Sequence, residues 1–236
     1  MFMNLAHRGA SSYAPENTLA AFYKGIELGA NGIETDLRKT KDGVVVLIHD
    51  ETVDRVTNAS GKVSDFTFSQ LLELDAGAWF SDRYAGERII SFQEFLHFFG
   101  RKDIIFAIEL KASDIEKNAL ELVRKYGVRE KVTITSFNYE YLRNVREIDE
   151  NIDIGYLVRK IDKGIIDILI EMKGNQICPA IANLEKADMD LARSYGLDIR
   201  AWGVKDEEHM NRALELGVDG MTINFPDKLA RKLESI

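Results

Sequence analysis

The chain has 236 residues, 45% of them hydrophobic and 30% charged, and carries a formal net charge of −8. That length and composition suit one α/β barrel with a single substantial core, and three prolines with no Pro/Gly/Ser-rich stretch announce no linker, so residues 1–236 are read as one domain. The acidic balance excludes a nucleic-acid surface, although cations placed locally can still hold a small anion.

Cys178 is the only cysteine, which excludes an intramolecular disulfide and fits a reducing compartment. The first residues show no basic region followed by an apolar run. No stretch reaches the roughly 18 apolar residues of a membrane span. A cytoplasmic protein with neither secretory leader nor membrane anchor is therefore expected.

Along the chain, short β-type runs alternate with amphipathic helical segments. Strands are expected at Asn4–His7, Gly32–Leu37, Ile104–Leu110, Lys131–Thr135, Ile152–Leu157, Gln176–Ala180, Asp198–Trp202 and Asp219–Ile223. Helices are expected at Asn17–Leu28, Ser91–Phe99, Asp114–Tyr126, Tyr139–Asp149, Lys163–Met172, Glu185–Tyr195, Glu207–Leu216 and Asp227–Leu233. Several end on a glycine at the stop position, as in Tyr126-Gly127 and Leu216-Gly217. Eight strands alternating with eight helices imply a parallel sheet. The first strand leads into His7-Arg8-Gly9-Ala10, which lacks the G-x-G-x-x-G spacing of an open dinucleotide-binding sheet. A closed (β/α)8 TIM barrel is the expected fold.

One segment breaks the alternation. Asp42-Gly43, between the strand-like runs ending at Lys41 and starting at Val44, predicts a two-residue hairpin turn. That register pairs Lys41 with Val44 and sets His49 opposite Asp36, on a shared face. Residues 50–90 then form an insertion, expected as a lobe over the active-site mouth.

In such a barrel the chemistry lies at the C-terminal strand ends. Glu34 and Asp36 are two apart on one strand and so share a face, and Glu109 ends the neighbouring strand. Three converging carboxylates repel unless a cation lies between them, and without nearby cysteine they favour Mg²⁺ or Ca²⁺ over zinc. A single carboxylate pair could equally be paired with Arg8, Arg38 or Lys111; three at strand ends weigh against that. His7 and His49 join this cluster as an acid–base pair, whereas His97 and His209 lie in helical contexts that suit packing or solvation. Arg8 and Lys111 offer cations for a phosphate oxygen. A metal, two imidazoles and two cations describe phosphoryl chemistry better than carbon–carbon chemistry.

The ordered set His7-Arg8-Gly9, Ala14-Pro15-Glu16-Asn17-Thr18, Glu34-Thr35-Asp36, Thr40-Lys41-Asp42-Gly43, His49-Asp50, Asp54-Arg55-Val56-Thr57-Asn58, Gly61, Glu109-Leu110-Lys111, Ser136-Phe137 and Asp219-Gly220…Asn224-Phe225-Pro226 resembles the glycerophosphodiester phosphodiesterases. The resemblance implies a barrel with an insertion after the hairpin, and hydrolysis of a small-molecule glycerophosphodiester to glycerol 3-phosphate and an alcohol. It implies His7 and His49 as the catalytic pair and Glu34, Asp36 and Glu109 as ligands of one divalent ion. Arg8 and Lys111 would hold phosphate, and Trp202, with Phe137, would line the glycerol side.

The chain departs from the family at Trp202-Gly203-Val204-Lys205, where Trp-Thr-Val-Asn is usual, and at Ile223-Asn224-Phe225-Pro226, where Thr-Asp-x-Pro is common. Both departures are expected to concern the leaving alcohol. Two other readings are a Schiff-base lyase or aldolase using Lys111 and a non-catalytic glycerophosphodiester-binding protein. The first leaves the carboxylates and second histidine without a role, and the second would expect a missing histidine or ligand.

Overall fold

β-Branched and aliphatic runs three to eight residues long, each bounded by turn residues, form the strands of this computed structural model, which describes residues 1–235. They are β1 (Met3–His7), β2 (Gly32–Lys39), β3 (Val45–Leu47), β4 (Ile105–Leu110), β5 (Val132–Ser136), β6 (Asp153–Val158), β7 (Gln176–Pro179), β8 (Asp198–Val204) and β9 (Gly220–Ile223). The helices are α1 (Leu19–Glu27), α2 (Phe68–Leu72), α3 (Phe92–Phe99), α4 (Glu116–Tyr126), α5 (Tyr139–Ile148), α6 (Lys163–Glu171), α7 (Lys186–Ser194), α8 (Glu207–Leu216) and α9 (Pro226–Glu234).

β1 bonds to both β2 and β9, closing a ring of eight parallel strands, while β3 lies outside it, antiparallel to β2. The expected TIM barrel is the observed fold, and the expected elements differ at their ends by at most two residues. The short α2, within the insertion, was not anticipated.

The helices bury one face against the ring. In α3 the apolar positions Phe92, Phe95, Leu96 and Phe99 follow helical spacing, and all are almost fully buried. A capping box starts this helix: Ser91 N donates to Glu94 Oε2 (2.8 Å) and Glu94 N to Ser91 Oγ (3.1 Å). Phe95 then packs edge-on against Phe22 of α1 and Phe106 of β4, with ring centroids 5.0 and 5.4 Å away. That cluster locks the first helix and the third ring strand to each other.

The hairpin differs from expectation. Lys39 pairs with Val45, Arg38 with Val46 and Leu37 with Leu47. Thr40 N donates to Val44 O (3.0 Å), so the loop is the three residues Lys41-Asp42-Gly43, not two. Gly43, at φ +83°, supplies the left-handed third position that such a loop needs. The extra residue shifts the register by one, and Asp36 faces Ile48: Ile48 N donates to Asp36 O at 3.1 Å. His49 is therefore not the cross-strand partner of Asp36. It lies one residue beyond the last paired position.

Alternation along β3 divides two cores. Val45 and Leu47 belong to the barrel cluster, whereas Val46 and Ile48 join Val53, Val56, Val63, Leu71, Ala76 and Ile89 in a smaller one. The segment between β3 and α3 thus folds over its own apolar centre. It is tied back to the barrel where Tyr84 Oη donates to Tyr13 O (2.8 Å).

The turn after β1 demands a glycine. A Cβ on Gly9 (φ +83°) would lie 2.4 Å from the backbone carbon of Ala21, so α1 packs directly on this turn. Gly9→Ala is expected to destabilise the fold by about 2–5 kcal/mol, combining left-handed strain with overpacking. Urea denaturation measures it; an unchanged midpoint would contradict the close approach.

Candidate active site

Strand register brings the charged residues together. In the parallel ladder His7 pairs with Glu34, and Asp36 pairs with Glu109. With Glu34 and Asp36 two apart on β2, one end of the ring collects an imidazole and three carboxylates. Single oxygens of Glu34, Asp36 and Glu109 lie within 4.8 Å of one another, and all three residues are buried.

Two backbone positions of unusual conformation hold Asp36. Arg8 and Asn17 are non-glycine residues with φ of 56° and 57°. Such positions cost about 1–3 kcal/mol each and persist where surrounding contacts demand them. Here Asn17 N donates to Arg8 O (2.9 Å), Arg8 Nε lies 3.2 Å from Asp36 Oδ2, and Asn17 Nδ2 donates to the same oxygen at 3.1 Å. Thr35 Oγ1 orients the Asn17 amide by donating to its Oδ1 (2.8 Å). The other oxygen, Asp36 Oδ1, is buried without a hydrogen-bond donor. Lys111 Nζ is 3.5 Å from it and 2.7 Å from Glu109 Oε1.

The charges are poorly compensated. Burial first, then the negative charges of Asp36 and Glu109, push the Glu34 carboxyl up to about 8. Burial and the Asp36 charge push Glu109 up to about 7. Burial also opposes the ionisation of Asp36, but Arg8 and Lys111 outweigh it and hold that carboxyl below its usual range. Three oxygen donors, one lacking any donor of its own, fit a hard divalent cation.

Both histidines border the same cavity, of about 290 Å³, with Arg8, Glu34, Glu109, Lys111, Phe137 and Trp202. Asp36 alone among the residues singled out in the sequence lies behind the wall, fully buried. His7 Nδ1 is 2.6 Å from Asn224 Oδ1, so that nitrogen carries the proton and Nε2, 3.9 Å from Glu34 Oε2, faces the carboxylates. Burial and the neighbouring Arg8 depress the His7 imidazolium to about 4.

His49 Nδ1 bonds Asp50 Oδ1 at 2.6 Å, and burial lowers this imidazole as well. Arg38 compensates for the shifted hairpin register. Its Nε donates to His49 O (2.9 Å) and its Nη1 to Lys111 O (3.2 Å), fastening the histidine's backbone to the end of β4.

Phe137 meets Trp202 edge-on at 5.1 Å, and Lys111 Nζ lies 5.7 Å from the Phe137 ring. Trp202 Nε1 donates to Val158 O (3.1 Å) beside a slip in β8 register between Ala201 and Val204.

Several residues at the cavity were not among the expected site residues. Asn224 touches His7, so the departure at this position bears on a histidine and not on the leaving-alcohol side alone. Arg200, 1% exposed, lines the floor and donates to Gln176 Oε1 (2.8 Å), Thr222 Oγ1 and the Cys178 thiol. None of these partners is a carboxylate. A lone arginine in the apolar run Asp198–Trp202 was the available signal. Thr135, opposite Glu109 in the ladder, presents a buried hydroxyl without a partner at the cavity wall.

Residues 7–228 match the glycerophosphoryl diester phosphodiesterase family. A glycerophosphodiester phosphodiesterase of Caldanaerobacter subterraneus subsp. tengcongensis is 38% identical over 233 residues, covering 95% of each chain. A crystal structure of a glycerophosphodiester phosphodiesterase from Agrobacterium tumefaciens superposes with a TM-score of 0.84 at 30% identity, over 98% of this chain and 100% of that one. An Oleispira antarctica phosphodiesterase, solved in complex with the product sn-glycerol-3-phosphate, shares the fold with a TM-score of 0.92 at 24% identity, over 98% and 96% of the two chains. The chain belongs to the glycerophosphodiester phosphodiesterase family, and with it to the phosphoric diester hydrolases. Among the described residues no helix is long and apolar enough to cross a membrane.

The carboxylate cluster has a consequence for stability. Glu34 keeps its proton in the fold up to about pH 8 but ionises near 4.5 when unfolded, so over that window the native state binds more protons. Protein stripped of divalent ions therefore loses stability as pH rises. His7 works oppositely between its folded value of about 4 and its unfolded 6.5, where it costs stability as pH falls. The uncancelled decline is expected between about pH 6.5 and 8. Melting curves of the EDTA-treated protein measure it; a melting temperature that rises across this range would contradict the protonated state of Glu34.

Proposed function

We propose that the protein hydrolyses glycerophosphodiesters to glycerol 3-phosphate and an alcohol, using one divalent cation, Mg²⁺ or Ca²⁺, and two histidines as acid and base. The observation that carries the reading is the meeting of His7 and His49 at one cavity with the carboxylate triad and two cationic side chains. The product bound to the Oleispira antarctica phosphodiesterase is consistent with a small glycerol phosphate ligand.

In this reading Glu34, Asp36 and Glu109 hold the cation, which when bound supplies positive charge for a phosphate oxygen and a glycerol hydroxyl. Arg8 and Lys111 hold the phosphate from either side, and Phe137 and Trp202 line the glycerol side. The Thr135 hydroxyl, unpartnered at the wall, is free to accept or donate to a substrate hydroxyl. Each histidine bonds its Nδ1 to a fixed oxygen, Asn224 for His7 and Asp50 for His49. Nε2 of each is thereby left for proton transfer: one removes a proton from the nucleophile, the other delivers one to the leaving alkoxide. Residues 1–236 act as one domain in this reading, with 50–90 as an inserted lobe.

The Schiff-base alternative gains nothing from the geometry. Lys111 would have to leave two carboxylates, 2.7 and 3.5 Å away, to attack a carbonyl. A non-catalytic binding role leaves the second imidazole without work.

Release of glycerol 3-phosphate from several glycerophosphodiesters, compared in EDTA, Mg²⁺ and Ca²⁺, tests the proposal. Activity is expected with at least one cation and not in EDTA. His7→Ala and His49→Ala should each lower turnover by about 10²–10⁴-fold. No release with any cation, or near-normal turnover of either variant, would overturn it.

A further inference from the structure

Three charged residues outside the triad, Glu16, Arg55 and Asp50, form a continuous chain between Arg8 and His49. Arg8 Nη1 donates to Glu16 Oε1 at 2.8 Å. Glu16 in turn accepts a forked pair from Arg55, with Nη2 to Oε1 at 2.8 Å and Nη1 to Oε2 at 2.7 Å. The third nitrogen of the same guanidinium, Nε, donates to Asp50 Oδ2 at 2.6 Å. Asp50 Oδ1 holds His49 Nδ1 at 2.6 Å. One guanidinium thus joins the carboxylate that aims Arg8 to the carboxylate that aims His49.

Glu16 comes from a part of the chain distant from the other two. Glu16 lies in the turn between β1 and α1, Asp50 follows the hairpin, and Arg55 belongs to the lobe, its guanidinium 6.0 Å from the Trp79 ring centroid. Arg55 is 44% exposed, so its ion pairs contribute little to stability. Their geometry is another matter. A planar fork with all three nitrogens engaged sets the distance and angle between two carboxylates, which a lysine's single ammonium does not.

The electrostatics agree with a closed chain. Burial works against ionisation of Glu16, but the hydrogen bonds from Arg55 and the charge of Arg8 hold its carboxyl below the usual range. Burial likewise opposes ionisation of Asp50, and hydrogen bonds from Arg55 and His49 bring it down to about 2.

We propose that Arg55 is a positioning residue for the hydrolysis: by gripping Glu16 and Asp50 together, it sets the directions of Arg8 and His49 at once and makes the lobe part of the active site. The inference rests on the roles proposed above for Arg8 and His49. Arg55 touches neither the cavity nor the carboxylate triad, so it acts only through these two residues.

The test compares Arg55→Ala and Arg55→Lys with the wild type by steady-state kinetics, melting temperature and ¹⁵N spectra of the imidazoles. Arg55→Ala is expected to lower kcat by about 10–100-fold, the scale of a small misplacement of a reacting group, while the melting temperature barely moves. Arg55→Lys keeps the charge but not the fork, and should regain only a small part of the loss. Millimolar guanidinium should partly rescue Arg55→Ala. In the spectra His49 should be held with Nδ1 protonated in the wild type and become a mixture of tautomers in Arg55→Ala.

Wild-type kcat in Arg55→Ala, full recovery by lysine, or an unaltered His49 tautomer would each overturn the proposal. If the wild-type protein hydrolyses no glycerophosphodiester, it is the functional reading that fails. The imidazole spectrum then still decides whether Arg55 sets His49.

Discussion

Three carboxylates buried at one end of the barrel, with two nearby cations to meet them, impose the constraint around which the rest of the site is built. Glu34, Asp36 and Glu109 crowd within 4.8 Å, and among the described residues Arg8 and Lys111 are the arginine and lysine that pair with them. Burial raises the cost of each negative charge, so the cluster either keeps protons or takes a cation. The split is visible in the site itself: Asp36, gripped by Arg8 and Asn17, stays ionised, while Glu34 and Glu109 are pushed towards the protonated form. A hard divalent ion would replace those protons, and Asp36 Oδ1, which has no donor, is ready for it.

The need to hold that cluster explains features that are otherwise costly. Arg8 and Asn17 adopt left-handed backbone conformations, and the hydrogen bond between them closes a small loop over Asp36. Gly9 follows immediately because α1 packs against the same turn. Arg200 adds a third positive charge at the floor, satisfied by neutral partners and therefore free to act on Glu34. Arg38 and Arg55 hold His49 from its carbonyl and, through Asp50, from its ring. Arginines placed around acids recur throughout, and they reconcile a net charge of −8 with a site for a phosphate.

Much of this was legible in the sequence, because it depends on periodicity. A ring of parallel strands follows from regular alternation of short apolar runs and amphipathic helices, and two-residue parity alone puts Glu34 and Asp36 on one face. The hairpin shows where such reasoning ends. Asp-Gly is a strong two-residue turn signal, yet here Gly43 is the third residue of a longer loop, and one additional loop position moves every cross-strand pair. His49 still reaches the cavity, but through the path of the chain after Ile48 and the bonds from Arg38 and Asp50. Contacts made by long side chains across distant segments leave no periodic trace. Asn224 on His7, Arg55 on Glu16 and Arg200 near Glu34 are 217, 39 and 166 residues apart in sequence, and only the closed ring and the lobe bring them together. Arg200 did leave a composition signal, a charge inside an apolar strand.

The account stands on the triad as the seat of one cation and on the two imidazoles as flanks of one phosphate. Diffraction at the manganese absorption edge, from crystals grown with Mn²⁺ and glycerol 3-phosphate, examines both at once. A single anomalous peak bonded to Glu34, Asp36 and Glu109, with the phosphate between His7 and His49 and within reach of Arg8 and Lys111, is the predicted result. A peak elsewhere, with Arg8 and Lys111 still closing the three carboxylates and the phosphate bound away from the histidines, would contradict it.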